Sequence, residues 1–419
     1  MSLQLYYDIL HHHNEIYSGQ ATLHSRHMPN QHTSDLELEF IDTPAALARV
    51  CEQLANQAYL AVDTEFVREK TYYPVLCLIQ IASPQQCVCI DPIAIRDLSP
   101  LATLLLHSNT TKVFHAARQD LEVLNQVLGN IPAPIFDTQI AATLLGLGDQ
   151  LSYGNLVNHF LKVQLAKGHA RTDWERRPLS TEQLEYAADD VRYLVAMYPL
   201  MVQTLAELGR LNWLAEDFAA LTRPQLYQND PQQQWQRVSG LQKLKGVQLA
   251  IVQYLAAWRE QQAQQQNKPR KWIMSDDILI AIAMQAPHKL EQLERIRGIN
   301  PAIIQRHGQT LLELIAQAKA APKTDWPILA RRIALDPNQE ALLDALMAIV
   351  KLQAATHQIN NTALTTRHEL ETLITGNQDI PLLHGWRHGL AGQQVLNFLN
   401  GETKLCVANQ RLLSAPSTA

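Results

Sequence analysis

Residues 59–91 read YLAVDTEFVREKTYYPVLCLIQIASPQQCVCID. Three short apolar runs, 59–67, 75–82 and 86–91, are separated by REKTYYP and SPQQ, the pattern of three consecutive buried strands. Within the first, Asp63 and Glu65 are two apart and so share one face of an otherwise apolar strand. Two carboxylates on such a face are costly unless something pairs with them. One reading is a divalent cation, since Mg²⁺ and Mn²⁺ favour carboxylate oxygens. The other is an edge strand whose acids face water. Cys87 and Cys89 share a face of the third strand; no further Cys or His stands nearby at ligand spacing, so they read as packing.

Outward from this core the pattern alternates. ALARVCEQLA (46–55) and LSPLATLLLH (98–107) read as helices, and KVFHAA (112–117) as a strand. ARQDLEVLNQVLG (117–129) reads as a helix that stops at Gly129. Further helices follow near 153–162 and 180–208, the latter opened by a capping box from Ser180 to Gln183. This order predicts an α/β domain with a mixed sheet flanked by helices over 37–222. The Pro- and Gln-rich stretch TRPQLYQNDPQQQ (222–234) marks a break, with a linker at 223–229. Beyond it strand signals nearly vanish, and two all-helical units are expected at 230–320 and 321–410, with a tail at 411–419. They share a long first helix, a Ser or Thr helix start (274–279, 365–370) and a Gly-containing final segment, a weak sign of repetition. Residues 1–36 lack periodicity and are expected to be poorly structured; His11–His13 read as incidental composition, and Met28 is an alternative start.

The chain has 419 residues, 47% of them apolar and 18% charged, which excludes a disordered polyelectrolyte. No apolar run approaches the 18 or so residues of a membrane span, and the N-terminus lacks a signal-peptide pattern. Five cysteines exclude a disulfide scaffold. A cytoplasmic protein without membrane association is expected. The net charge of −5 is unevenly spread: residues 1–224 carry 15 basic against 25 acidic side chains, and 230–320 carry 12 against 7. That distribution fits an acidic metal-dependent domain followed by a nucleic-acid anchor, though by itself it reads better as ordinary surface charge.

Other acids weigh on the Asp63–Glu65 pair. Asp120 opens a helix just after a strand, five residues beyond His115; Asp190 lies in a later helix with Tyr186 one turn before it. Strand D-x-E, then His-x4-Asp, then Tyr-x3-Asp is an order hard to obtain by accident. LAVDTEFVREKTYYPVLCLIQIA, VFHAARQDLEVL and YAADDVRYL together resemble the three motifs of the DEDD superfamily of 3′–5′ exonucleases, in its tyrosine subgroup. ARTDWERRPLSTEQLEYAADD and LLHGWRHGLAG resemble the bacterial ribonuclease D family within it, over roughly 40–405.

The resemblance implies a ribonuclease-H-like catalytic domain followed by two all-α HRDC-type domains. It implies a 3′–5′ exoribonuclease that uses two divalent metal ions (Mg²⁺ or Mn²⁺), with Asp63, Glu65, Asp120 and Asp190 as ligands and Tyr186 orienting the attacking water. The implied partner is RNA with an accessible single-stranded 3′ end, precursor tRNA foremost, bound by a monomer and released as nucleoside 5′-monophosphates. The alternatives are a DNA exonuclease with the same chemistry and an RNA-binding protein with an inactive nuclease domain. Further candidates for RNA contact are Thr64 through its backbone, His115 at the phosphate or leaving group, Tyr72 by stacking, and Arg171 and Arg176 at phosphates. Lys268, Arg270 and Lys271 around Trp272 form a basic–aromatic cluster. Each has a bland alternative in core packing or local ion pairing. Gln80 and Trp174 read as structural.

Overall fold

The computed structural model describes residues 36–165, 172–329 and 334–417. His11–His13, Met28 and Arg171 therefore lie outside the described residues. The described residues divide into two compact units, one drawn from 36–65, 76–165, 172–226 and 334–417, the other from 66–75 and 227–329.

The first unit is built on a six-stranded sheet. Its strands are β1 (Leu38–Ile41), β2 (Tyr59–Val67), β3 (Val75–Ala82), β4 (Cys87–Ile90), β5 (Thr111–Phe114) and β6 (Ile135–Asp137), in the spatial order β1-β4-β3-β2-β5-β6. The sheet is mixed: β4 runs antiparallel to β3, while β1 pairs parallel with β4, and β5 parallel with both β2 and β6. The expected mixed sheet flanked by helices is thus present. β1 and β6 are additions to the three strands of 59–91 and the strand at 111–114; at four and three residues they are too short to show a period.

Local chemistry sets the helices. Helix α1 (Pro44–Leu54) has Thr43 as N-cap and Pro44 in its first turn. Helices α2 (Ser99–Leu105) and α3 (Arg118–Leu128) follow; Gly129, at φ 74°, ends α3 as expected. Then come α4 (Thr138–Leu144) and α5 (Tyr153–Leu161). The long α6 (Thr181–Glu207) opens on the Ser180–Gln183 capping box, and α7 (Leu214–Leu221) follows it. Leu60, Val62, Ile79, Ile81 and Phe114 are fully buried in the core. Lys112 is fully buried too, and its ammonium donates to the carbonyls of His107, Thr110 and Ala133 at 2.9, 2.6 and 2.8 Å.

The second unit is helical. It comprises α8 (Val247–Gln265), α9 (Arg270–Ile273), α10 (Asp276–Gln285), α11 (Leu290–Glu294) and α12 (Pro301–Ala320). Their core gathers Trp235, Leu255, Trp258, Ile282, Leu293 and Leu311, and also Tyr72 from the β2–β3 connection. The expected linker at 223–229 carries a short 3₁₀ turn, and another spans Pro231–Arg237.

The later helices α13 (Pro337–Thr356), α14 (Arg367–Ile374) and α15 (Gln393–Leu399) belong to the first compact unit. Arg387 forks onto Asp217 at 2.8 and 2.9 Å, Trp386 stacks on Trp213 with centroids 4.8 Å apart, and Arg210 donates to the carbonyls of Leu144 and His357. The chain closes on a hairpin, β7 (Thr403–Ala408) and β8 (Arg411–Pro416). This corrects the expected all-helical reading of the end of the chain and the expected tail at 411–419. KLCVANQRLLSA has only a few apolar residues on each arm; Asn409 and Gln410, both at positive φ, make the turn that pairs them.

Candidate active site

Strand β2 ends in the site. Its burial is complete through Val62 and then alternates, so Asp63 and Glu65 are partly accessible while Thr64 between them is buried. Helix α6 supplies Asp190. One carboxylate oxygen each from Asp63, Glu65 and Asp190 lies within 4.8 Å of the others. Asp120, in the first turn of α3, is 7% exposed and accepts a hydrogen bond from the Thr64 hydroxyl at 2.5 Å. The Thr64 side chain thus holds one acid of the expected set.

The electrostatics are those of acids held together against their charge. Burial, then Asp120, Asp190 and Glu65, push the Asp63 carboxyl well above the usual range. Burial, then Asp190 and Asp120, raise Glu65 to about 8. Asp120 and Asp190 are each raised to about 7, by burial first. Such a cluster is relieved either by protons or by a cation, and an all-oxygen donor set suits a hard divalent ion. The residues present therefore fit the divalent metal that the resemblance implies.

Tyr186 is half-buried one turn before Asp190; burial and the charges of Asp190, Glu65 and Asp63 push its phenol up to about 12. Its ring stacks near Trp174, centroids 6.4 Å apart. Trp174 is buried in a turn held by Arg177, which forks onto Asp91 at 2.6 and 2.8 Å and also donates to the carbonyls of Trp174 and Cys77. Arg177 is thus committed to the fold, while Arg176 beside it is exposed.

Two residues not singled out from the sequence build this site. Asp137 caps α4 through the N–H groups of Gln139 and Ile140, and accepts from Ala116 and Ala117 at 3.2 and 2.8 Å. It thereby fixes the turn that launches α3 and Asp120, including Ala116 at φ 60°. Tyr153 donates to the Asp189 carbonyl at 2.8 Å, and burial with the charges of Asp190 and Asp63 raises its phenol far above the ordinary value. A buried Asp after IF and a lone Tyr carry no periodic signal, which is why neither stood out.

The other candidates fall in different places. His115 bonds through Nδ1 to the Thr138 hydroxyl at 3.0 Å and packs by Tyr153; burial lowers its pKa, opposed by Asp137. Gln80 is fully buried with both amide atoms unpaired. Tyr72 is 5% exposed in the helical unit, with Arg270 4.9 Å over its ring and its hydroxyl bonded to Glu260. Arg270 forks onto the same Glu260, which is fully buried. The Tyr72 hydroxyl and the Arg270 fork thus both meet a buried carboxylate. Lys268 and Lys271 are exposed, and Trp272 is 60% exposed.

Comparison with known proteins fits this geometry. A family model described as 3′–5′ exonuclease matches residues 38–206, and one described as HRDC domain matches 248–315. Ribonuclease D of Sphingobium indicum is 38% identical over 371 residues, which are 87% of this chain and 95% of that protein. The chain belongs to the ribonuclease D family. Ribonuclease D of Pseudomonas paraeruginosa is 37% identical over 87% of this chain and 98% of its own. The crystal structure of Escherichia coli RNase D, an exoribonuclease involved in structured RNA processing, superposes with a TM-score of 0.77 at 31% identity, covering 87% of this chain and 99% of that one. The catalytic core of RRP6 from Trypanosoma brucei gives 0.56 at 25% identity, covering 74% and 89%. As a ribonuclease D relative the chain is a 3′–5′ exoribonuclease that uses divalent metal, with a helical HRDC region after its catalytic domain. Among the described residues no helix is long and apolar enough to cross a membrane.

Proposed function

We propose that this exoribonuclease trims the 3′ ends of small structured RNAs, precursor tRNA foremost, by two-metal-ion hydrolysis, releasing nucleoside 5′-monophosphates. One observation carries the reading: Asp63, Glu65 and Asp190 present oxygens to a common point, with Asp120 in their field and Tyr186 one turn from Asp190. Asp63, Glu65 and Asp190 would hold the divalent cations, with Asp120 in support. Bound there, the cations would supply activation of the attacking water and charge relief at the leaving 3′-oxygen.

The remaining work falls to the chain itself. Thr64 holds one Asp120 oxygen through its hydroxyl. Tyr186, pushed up to about 12, keeps its proton at neutral pH; it acts as a hydrogen-bond donor that orients the water and not as a base. On this reading the chain is a member of the tyrosine subgroup of the DEDD enzymes. Arg176, Lys268, Lys271 and Trp272 offer charge and a stacking face to RNA. Residues 230–320 act as the electrostatic anchor, and 321–410 as a second HRDC-type domain. The enzyme works as a cytoplasmic monomer on RNAs with a free single-stranded 3′ end.

The test is Asp63→Ala. Turnover on a short single-stranded RNA should fall by about a thousandfold or more, while RNA affinity stays within a few-fold of wild type. Near-normal turnover would overturn the ligand assignment.

A further inference from the structure

The segment 66–75 starts directly after Glu65 with the last two residues of β2, yet it belongs to the helical unit. Between Val67 and Val75 it has no strand structure of its own, so its anchors lie elsewhere. The backbone N–H groups of Tyr72 and Tyr73 both donate to Asn267 Oδ1, at 3.1 and 3.0 Å. The Tyr72 hydroxyl bonds to Glu260, which has no exposed surface in its side chain, and accepts from Gln264 and Arg270, each at 3.2 Å. Arg270 closes the set by its fork onto Glu260 and its cation–π contact with the Tyr72 ring. A fully buried carboxylate is stable only while all of these donors remain, so the cluster has one arrangement and loosens as a whole.

We propose that Tyr72, Asn267, Glu260 and Arg270 form a positioning latch for catalysis: by gripping the chain seven residues beyond Glu65 they fix the exit of the strand that bears Asp63 and Glu65. The helical unit thereby acts on the chemical step, in addition to any role in RNA affinity. A strand end that is covalently continuous with a free loop frays; one tied to a packed core does not. The inference rests on the assignment of Asp63 and Glu65 as metal ligands, and extends it to Tyr72 and to three residues about 200 positions away.

Two mild substitutions in the full chain test it. Tyr72→Phe keeps the packing and removes one hydroxyl. Asn267→Gly removes the acceptor at a position whose φ of 47° glycine adopts freely. Hydrogen exchange of the metal-free protein should quicken over 62–67 in both variants while 76–82 stays protected. The Mn²⁺ concentration for half-saturation, read by electron paramagnetic resonance, should rise by about threefold to tenfold. On a short single-stranded RNA, kcat should fall by about fivefold to tenfold with KM unchanged. Unchanged exchange and Mn²⁺ titration, with only KM raised, would overturn the latch. A wild-type protein that binds Mn²⁺ but leaves the RNA intact would instead overturn the functional reading, and exchange and titration would still decide the latch.

Discussion

At the scale of single residues, charge crowding is the dominant fact. Burial and mutual repulsion raise Glu65 to about 8 and Asp120 and Asp190 to about 7, whereas the unfolded chain releases these protons near pH 4. Between those limits the native metal-free protein binds more protons than the unfolded one, so its stability is greatest at low pH and falls as pH rises through 7 to 8. The melting temperature of EDTA-treated protein should therefore decline from pH 5.5 to 8. Mg²⁺ or Mn²⁺ should restore it most at the upper end, and Asp63→Asn should flatten the slope. A metal-free melting temperature that rises over this range would contradict the cluster. Tyr186→Phe should lower kcat by about tenfold to a hundredfold without shifting the pH profile, since a phenol held near 12 does not titrate below pH 9. Period-two spacing already put Asp63 and Glu65 together. Thr64 was legible only as a backbone contact and Asp137 not at all, because what their side chains do is set by partners about 56 and 20 positions away.

At the scale of elements, the sheet and the catalytic helices follow from patterns that the sequence displays: alternating burial, the Ser180 cap, the Gly129 stop. What it hides is docking. Gly146, at φ 75°, lies so close to the later helices that an added Cβ would stand 2.5 Å from the Gln358 carbonyl oxygen. Gly146→Ala should cost about 2–4 kcal/mol, from backbone strain and the lost fit together, measured by chemical denaturation. Lys112→Met should cost a similar amount, about 2–4 kcal/mol, by stranding three buried carbonyls. Neither contact could be read from the chain. One depends on a neighbour more than 200 residues away, and the other on a lysine inside an apolar strand that propensity alone would place at the surface.

At the scale of the whole molecule, a cut near 225 is less innocent than charge and linker composition suggest. It would strip Trp213, Asp217 and Arg210 of their partners in 334–417 and Tyr72 of its partners in 227–329. Point substitutions separate anchoring from folding more cleanly. Lys268→Gln and Lys271→Gln should each reduce the dependence of log K for RNA on log salt by about 0.7, leaving the melting temperature unchanged. An unaltered slope would remove the helical unit as the electrostatic anchor. The central claim is metal-dependent trimming of structured RNA from its 3′ end. The most direct measurement is a cleavage time course on a 3′-extended tRNA precursor and a single-stranded DNA of matching length, with Mg²⁺ or with EDTA, alongside Asp63→Ala. Stepwise shortening of the RNA from its 3′ end is expected only with metal and only with Asp63 present, while the DNA stays largely intact. Preferential loss of the DNA, or shortening of the RNA in EDTA, would contradict it.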